Sequence, residues 1–240
     1  MLYLIGLGLN ADGISKYGLE VTKRCKRVYL ENYTVDFPYT IGKLSEIIGK
    51  KIIPADRKRV EELSLVDEAN RLDIALLVYG SPLTATTHIT LLQEARRLGI
   101  KTKVIASASV LDAVAETGLQ LYKFGKVASM PAWKPEENFT PDSFMEIVKD
   151  NQKINAHSLI LIDIGLEFSD ALNQLEKSAE KHNMKLNRIV LCQTLGTRYQ
   201  KIFYRKIKDL KEFTSVRKPY CIVIPSKLHF MEKEVLTEFK

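Results

Sequence analysis

The sequence predicts an α/β protein with two α/β domains, residues 1–121 and 122–240, and a binding cleft between them. Apolar strand-like runs alternate with segments of helical spacing through the first half of the chain. Several strand-like runs follow one another in the second half. With 240 residues, of which 45% are hydrophobic, the chain is long and apolar enough to bury a sizeable core.

The first half alternates between strands and helices, which indicates a mostly parallel sheet covered by helices. The predicted strands are residues 2–5, 28–30, 52–54, 74–78 and 103–105. The predicted helices are residues 14–25, 40–48, 59–71 and 86–98, and Gly99 follows the last of them in the position that commonly ends a helix.

The second half has a different pattern, in which strands follow one another, and this predicts a mixed sheet. A helix over residues 110–116 ends at Thr117-Gly118, and the domains are expected to meet near Leu121. The predicted strands are residues 126–132, 158–164, 188–192, 201–207 and 220–224. The predicted helices are residues 142–149 and 169–182, with a final helix extending through residue 232.

Composition excludes several classes of protein. No apolar run approaches the length of a membrane span, and the first residues read as a short strand, so neither a span nor a cleaved signal is expected. The three cysteines are few and unclustered, which favours a reducing cytoplasm. The net charge of +7 is spread along the chain, which is typical of a solvated surface, so nucleic-acid binding is not predicted. The four histidines lack ligand spacing, so no metal site is predicted.

One stretch predicts a ligand-binding wall. The apolar run that ends at Val78 is followed by Tyr79-Gly80-Ser81-Pro82, then by small hydroxylated residues and a helix-like segment. Such a strand, turn and helix place a glycine and hydroxyl groups at the carboxyl edge of a sheet, where α/β proteins bind ligands.

A second glycine pattern follows the first strand. Gly6-x-Gly8-x-x-Ala11, with Glu31 after the second strand, superficially matches a dinucleotide fingerprint and leaves a nicotinamide oxidoreductase open as a remote alternative. Asp12-Gly13 stands where the helix that binds the pyrophosphate should already have begun. The glycines therefore either turn the strand tightly or line a ligand with backbone atoms.

No catalytic residue is assigned from the sequence. It lacks a Gly-x-Ser-x-Gly elbow, a phosphate-binding Gly-x-x-x-x-Gly-Lys loop and a defensible Cys-His arrangement. Covalent catalysis is therefore not predicted. His88 is interpreted as a buried residue bonded to backbone rather than a base, and Ser109 as either a helix N-cap or a ligand contact.

Five segments together resemble a known family. They are 4–9 (Leu-Ile-Gly-Leu-Gly-Leu), 80–88 (Gly-x-Pro-Leu-x-Ala-Thr-Thr-His), Ser109 at a helix start, 117–126 (Thr-Gly-Leu-Gln-Leu-Tyr-Lys-Phe-Gly-Lys) and 225–229 (Pro-x-Lys-Leu-His). In this order and over essentially the whole chain, the sequence is similar to the diphthine synthases, a branch of the tetrapyrrole methylase superfamily.

The resemblance implies a cytoplasmic homodimer that binds S-adenosylmethionine in a cleft between its two domains. The implied reaction is repeated methylation of the amino group on a 3-amino-3-carboxypropyl chain, which is attached to a histidine of translation elongation factor 2. Carried over by position, the cofactor contacts are Leu9, Ser81, Thr84, Ser109, Val110, Ile162, Leu195 and His229.

The chain departs from the family pattern at three positions. Ser81 stands where the family carries Asp, which removes a carboxylate from the cofactor wall; Ala106 replaces a usual His, and Ser226 a usual Gly. A relative that binds the elongation factor with altered or absent catalysis, and a methylase of tetrapyrroles, therefore stay as alternatives to the diphthine synthase activity.

Overall fold

The computed structural model describes all 240 residues and divides into two compact units, Met1–Val110 and Leu111–Lys240. The boundary lies before the helical turns that follow Val110, whereas the sequence placed it after Leu121. Each unit has its own five-stranded sheet and its own helices, so the predicted α/β class is confirmed.

The N-terminal unit has a fully parallel sheet in the order β3-β2-β4-β1-β5. Its strands are β1 (Leu2–Gly6), β2 (Arg27–Glu31), β3 (Ile53–Ala55), β4 (Ile74–Val78) and β5 (Thr102–Ile105). Its helices are α1 (Lys16–Arg24), α2 (Ile41–Ile48), α3 (Arg57–Glu61), α4 (Ser64–Ala69) and α5 (Ile89–Arg97), and α6 (Val110–Ala113) crosses the boundary between the units.

The centre of this sheet is buried on both faces. Every residue of β4 is buried, and alternate residues point into two separate apolar clusters. Leu76 packs into one cluster with Leu4, while Leu77 packs into the other with Ile5. A parallel sheet covered by helices on both faces explains the continuous apolar run of this strand.

The predicted helix over residues 59–71 is wrong as a single element. The structure has two short helices, α3 and α4, separated at Leu63, whose φ of 62° lies in the left-handed region. A left-handed residue interrupts the helical hydrogen-bond ladder. Neither glycine nor proline marks this break in the sequence, because Leu63 itself adopts a conformation that leucine seldom takes.

The C-terminal unit has a mixed sheet in the order β6-β7-β10-β8-β9, as predicted. Its strands are β6 (Ala128–Met130), β7 (Ser158–Ile162), β8 (Arg188–Gln193), β9 (Lys201–Lys206) and β10 (Tyr220–Ile224). Its helices are α7 (Ser143–Lys153), α8 (Phe168–Lys181), α9 (Ile207–Leu210) and α10 (Phe230–Glu238), with 3₁₀ turns at Val114–Thr117, Leu121–Lys123 and Pro135–Glu137.

The central strand of this second sheet runs against its neighbours. β10 is antiparallel to both β7 and β8, with Cys221 opposite Leu161 on one side and opposite Cys192 on the other. The carboxyl ends of β7 and β8 therefore share one edge of the sheet, and β10 begins at that edge. The three cysteines of the chain are free and buried.

None of the helices combines the length and the apolar character that crossing a bilayer would require.

Candidate functional site

The carboxyl ends of β1, β4 and β5 carry three loops, residues 7–13, 79–88 and 106–110, which together form the N-terminal loop edge. Five of the predicted contact residues lie in these loops: Leu9, Ser81, Thr84, Ser109 and Val110. Because all strands of this sheet are parallel and β4, β1 and β5 are adjacent, their carboxyl ends meet at one edge. The structure therefore brings these five residues to one side of the N-terminal unit.

Glycines allow two of these loops to approach each other closely. Gly8 and Gly80 exchange backbone hydrogen bonds of 3.0 and 2.9 Å, and both have positive φ. A Cβ atom on Gly6 would lie 2.7 Å from the carbonyl oxygen of Gly80 and 2.9 Å from Pro82 Cδ. The glycines at positions 6, 8 and 80 therefore place backbone, not side chains, at the centre of the edge.

The first loop does not form a dinucleotide site. After Gly8 the chain makes a turn in which the Gly13 N–H donates to the Asn10 carbonyl at 3.0 Å, and α1 begins only after its N-cap Ser15. The buried carboxylate of Glu31 accepts hydrogen bonds from the Tyr33 N–H and the Thr34 hydroxyl. No helix N-terminus meets the glycines, and the carboxylate is already occupied by its own loop.

Aromatic rings support the loop edge from one side. The Tyr79 hydroxyl donates to the carbonyl of Leu9 at 3.1 Å, and the Tyr79 ring lies 5.4 Å from Phe37 and 6.4 Å from Tyr39. The Tyr39 hydroxyl is buried without a hydrogen-bond partner, and burial raises its pKa. Sequence reasoning missed Phe37 and Tyr39, because their segment shows neither strand nor helix periodicity.

The loop after Pro82 is held in an unusual backbone conformation. Leu83 and Ala85 have φ values of 67° and 54°, although neither is glycine. Thr86 Oγ1 is buried with no hydrogen-bond partner. Strained backbone and unsatisfied polar atoms concentrate at ligand sites, where a bound molecule supplies the missing contact. This geometry supports the prediction that the loop bearing Ser81 and Thr84 binds a ligand.

His88 closes this loop and is only 1% exposed. Its burial agrees with the sequence interpretation, but neither ring nitrogen has a hydrogen-bond partner, so the expected bond to backbone is absent. Burial lowers its pKa to about 4. The ring is therefore neutral at physiological pH and packs at the start of α5.

The C-terminal unit separates the remaining predicted residues. Ile162 ends β7 and Leu195 follows β8, so both lie at the edge where β10 begins. His229 follows the carboxyl end of β10, which lies at the opposite edge of the sheet. The length of β7, roughly 14 Å at about 3.4 Å per residue, separates the two edges. The structure brings Ile162 and Leu195 together but not His229.

The segment that reaches the edge of Ile162 and Leu195 is the start of β10. Tyr220 is 7% exposed there, and the Pro219 carbonyl accepts a hydrogen bond from Thr194 at 2.8 Å. Tyr220 itself belongs to the core, because its ring packs edge-on against Phe168 and its hydroxyl donates to the Leu166 carbonyl at 3.1 Å.

His229 lies at the N-cap of a helix and beside a buried carboxylate. Its ring accepts a hydrogen bond from the Met231 N–H at the N-cap of α10, and its own N–H donates to the Glu232 carboxylate at 2.7 Å. The Glu232 carboxylate is buried and also accepts from the Gln120 N–H, Lys123 Nζ and His157 Nε2. Burial opposes ionisation of Glu232, but these donors, Lys123 above all, outweigh it and lower its pKa to about 2.

The comparisons with known proteins agree with this architecture. The profile of the family described as Tetrapyrrole (Corrin/Porphyrin) Methylases matches residues 1–211. A diphthine synthase of Methanocaldococcus jannaschii is 38% identical, and the alignment covers 98% of this chain and 97% of that one. The chain belongs to the diphthine synthase branch of the tetrapyrrole methylases.

Other members of the branch show the same likeness. A diphthine methyl ester synthase of Schizosaccharomyces pombe is 44% identical over 68% of this chain and 58% of its own. A crystal structure of diphthine synthase, 32% identical, superposes with a TM-score of 0.90 and covers 99% of this chain and 95% of that one. This chain is thus a methyltransferase of the diphthine synthase branch, and its reaction uses a methyl donor.

The first prediction concerns the close approach at Gly6. Gly6→Ala should lower the free energy of unfolding by about 1–3 kcal/mol, because the added methyl group meets backbone and ring atoms that cannot move away cheaply. Gly42→Ala is the matched control, since its Cβ would meet nothing closer than 3.8 Å. Urea unfolding measures both variants, and equal stabilities would contradict the close approach.

The second prediction concerns His88. Its pKa is about 4 in the folded protein and near 6.5 when unfolded, so the unfolded state takes up the proton first. The contribution of His88 to the free energy of unfolding is therefore fully present well above pH 6.5. This free energy falls by about 3 kcal/mol as the pH is lowered towards 4. His88→Phe should remove this part of the pH dependence in denaturant titrations at several pH values; an unchanged slope would show that His88 is not the group that titrates.

Proposed function

We propose that this methyltransferase uses S-adenosylmethionine to methylate the amino group of the 3-amino-3-carboxypropyl chain on a histidine of translation elongation factor 2. The observation that carries the proposal is the full-length likeness to diphthine synthases. The motifs of that likeness include the Gly80-Ser81-Pro82 loop, which lies at the N-terminal loop edge together with the strained residues Leu83 and Ala85. A cytoplasmic homodimer completes the proposal.

Each unit contributes one set of proposed cofactor contacts. In the N-terminal unit these are Leu9, Ser81, Thr84, Ser109 and Val110, where glycines expose the backbone. In the C-terminal unit they are Ile162 and Leu195, which share one edge of the sheet, whereas His229 lies beyond the opposite edge. Mostly apolar side chains suit a sulfonium nucleoside, whose positive charge disappears as its methyl group leaves.

The chemistry needs orientation more than acid–base catalysis. S-adenosylmethionine supplies an electrophilic methyl group: its S–CH₃ bond breaks, a bond from carbon to the substrate nitrogen forms, and the amine proton passes to water. In-line alignment of the two reactants can contribute about 7–11 kcal/mol. The paired backbone hydrogen bonds between Gly8 and Gly80 at the N-terminal loop edge support such alignment. No residue is assigned as a general base.

A related product has support from one relative. The Schizosaccharomyces pombe protein is named a diphthine methyl ester synthase, a name that places a methyl group on a carboxylate. The carboxyl group of the same substrate chain offers such an acceptor. An additional ester-forming transfer is therefore the second candidate activity.

Methyl transfer tests the proposal directly. Purified protein incubated with S-adenosylmethionine should add methyl groups to elongation factor 2 that carries the 3-amino-3-carboxypropyl chain, and none to the unmodified factor. Mass spectrometry counts the additions as CH₂ increments. Brief alkaline treatment removes an ester but not an N-methyl group and so separates the two products. Absence of transfer to the modified factor would contradict the proposal.

Ser81 should limit cofactor affinity. The family's carboxylate at this position can pair with a cationic group of the ligand, whereas the Ser81 hydroxyl cannot. Ser81→Asp should therefore strengthen S-adenosylmethionine binding by about 1–3 kcal/mol in calorimetric titration. Ser81→Asn matches its size without the charge and should leave affinity near that of the natural protein. Equal affinities of the natural protein and the two variants would show that the cationic group of the ligand does not lie beside residue 81.

A further inference from the structure

The three most exposed large apolar side chains of the protein lie at one end of the C-terminal unit. Tyr122, Ile154 and Phe230 are 82%, 71% and 70% exposed. Leu121 and Met231 flank them and are also exposed. These five residues form the exposed apolar patch. Single exposed apolar residues are common, but a group this exposed at one place is typical of a binding surface.

Backbone hydrogen bonds bring the members of the patch together although they are distant in sequence. The His157 N–H donates to the Lys123 carbonyl at 2.8 Å, which lays the segment of Tyr122 beside the segment that follows Ile154. The Gln120 N–H donates to the Glu232 carboxylate at 3.0 Å, which holds the same segment against the first turn of α10, where Phe230 lies.

The patch rests on a fixed framework. Glu232 is fully buried and joins Gln120, Lys123, His157 and His229, and the second ring nitrogen of His157 accepts from the Ser226 N–H at 2.9 Å. A neutral His157 that donates from Nε2 and accepts at Nδ1 satisfies both bonds, and burial lowers its pKa. A pre-ordered surface loses little conformational entropy when a partner binds.

A cationic cleft adjoins the patch. It has a volume of about 180 Å³ and is lined by Gln152, two residues before Ile154, and by the loop that leads to Phe230. Lys185 and Arg188 lie on its other side. Neither of these cations has a carboxylate within ion-pair distance, so the cleft can accept an acidic side chain.

The charges around the patch are mainly positive. Lys227 and Lys233 are exposed and unpaired, and they flank Phe230 in sequence. Two of the nearby carboxylates already form ion pairs, Asp150 with Lys153 and Glu232 with Lys123. A third, Glu234, is exposed. Two copies of this face would bring like charges together, whereas an acidic partner surface is attracted.

We propose that the exposed apolar patch and its cationic cleft dock an acidic, partly apolar surface of the protein substrate. This inference rests on the proposed function. The patch lies at the sheet edge opposite Ile162 and Leu195, so it binds the folded body of the substrate and not the reacting side chain. It should therefore set the KM for the protein substrate and leave the chemical step unchanged.

The test uses the full-length protein with two patch variants. One is the triple substitution Tyr122→Ala, Ile154→Ala and Phe230→Ala, and the other is Lys227→Glu. Phe139→Ala and Lys177→Glu are matched controls, because both side chains are exposed elsewhere in the C-terminal unit. Each patch variant should raise the KM for modified elongation factor 2 by about tenfold, with kcat and the Kd for S-adenosylmethionine unchanged.

Direct binding separates this inference from the proposed function. The factor is titrated into the protein by calorimetry without S-adenosylmethionine, so weakened binding by the patch variants supports docking even if no methyl transfer occurs. Unchanged KM and unchanged binding overturn the docking proposal. A patch variant that changes from dimer to monomer in light scattering while keeping the natural KM shows that a second copy covers the patch, and this also overturns it.

Discussion

The direction of each strand decides which residues of this protein can meet. In the N-terminal unit all five strands run the same way, so residues that follow β1, β4 and β5 converge at one edge whatever their distance in sequence. In the C-terminal unit β10 runs against β7 and β8, so the residues before it, and not those after it, join the ends of its neighbours. The placement of every candidate contact follows from this constraint.

Much of the fold could be predicted from periodicity alone. The buried run of β4 and the alternation of strands with helices fixed the parallel sheet, and consecutive strands indicated the mixed one. The break at Leu63 could not be predicted, because the residue in the left-handed region is a leucine and no glycine or proline marks the position. The direction of β10 could not be predicted either, since the pattern of a strand is the same read from both ends.

The candidate site shows a similar division. Glycines at positions 6, 8 and 80 and the loop of Ser81 could be recognised because backbone crowding demands particular residues. Tyr39 is far from Tyr79 in the chain, and three donors to Glu232, from Gln120, Lys123 and His157, are far from Glu232, so only the folded structure joins them. The motif that contains His229 therefore forms a helix cap and part of a buried ionic network. Neither feature could be recognised from the sequence alone.

The facing cysteines of β8 and β10 bear on how the protein withstands oxidation. A side-chain hydrogen bond that the Cys192 thiol makes with Cys221, together with burial, raises the pKa of Cys192 well above its usual range. Since the thiolate is the form that oxidants attack, the raised pKa and the burial of Cys192 both lower the reactivity of this thiol. Both sulfurs serve as small apolar fillers of the core. The enzyme should thus tolerate aerobic handling without forming an internal crosslink.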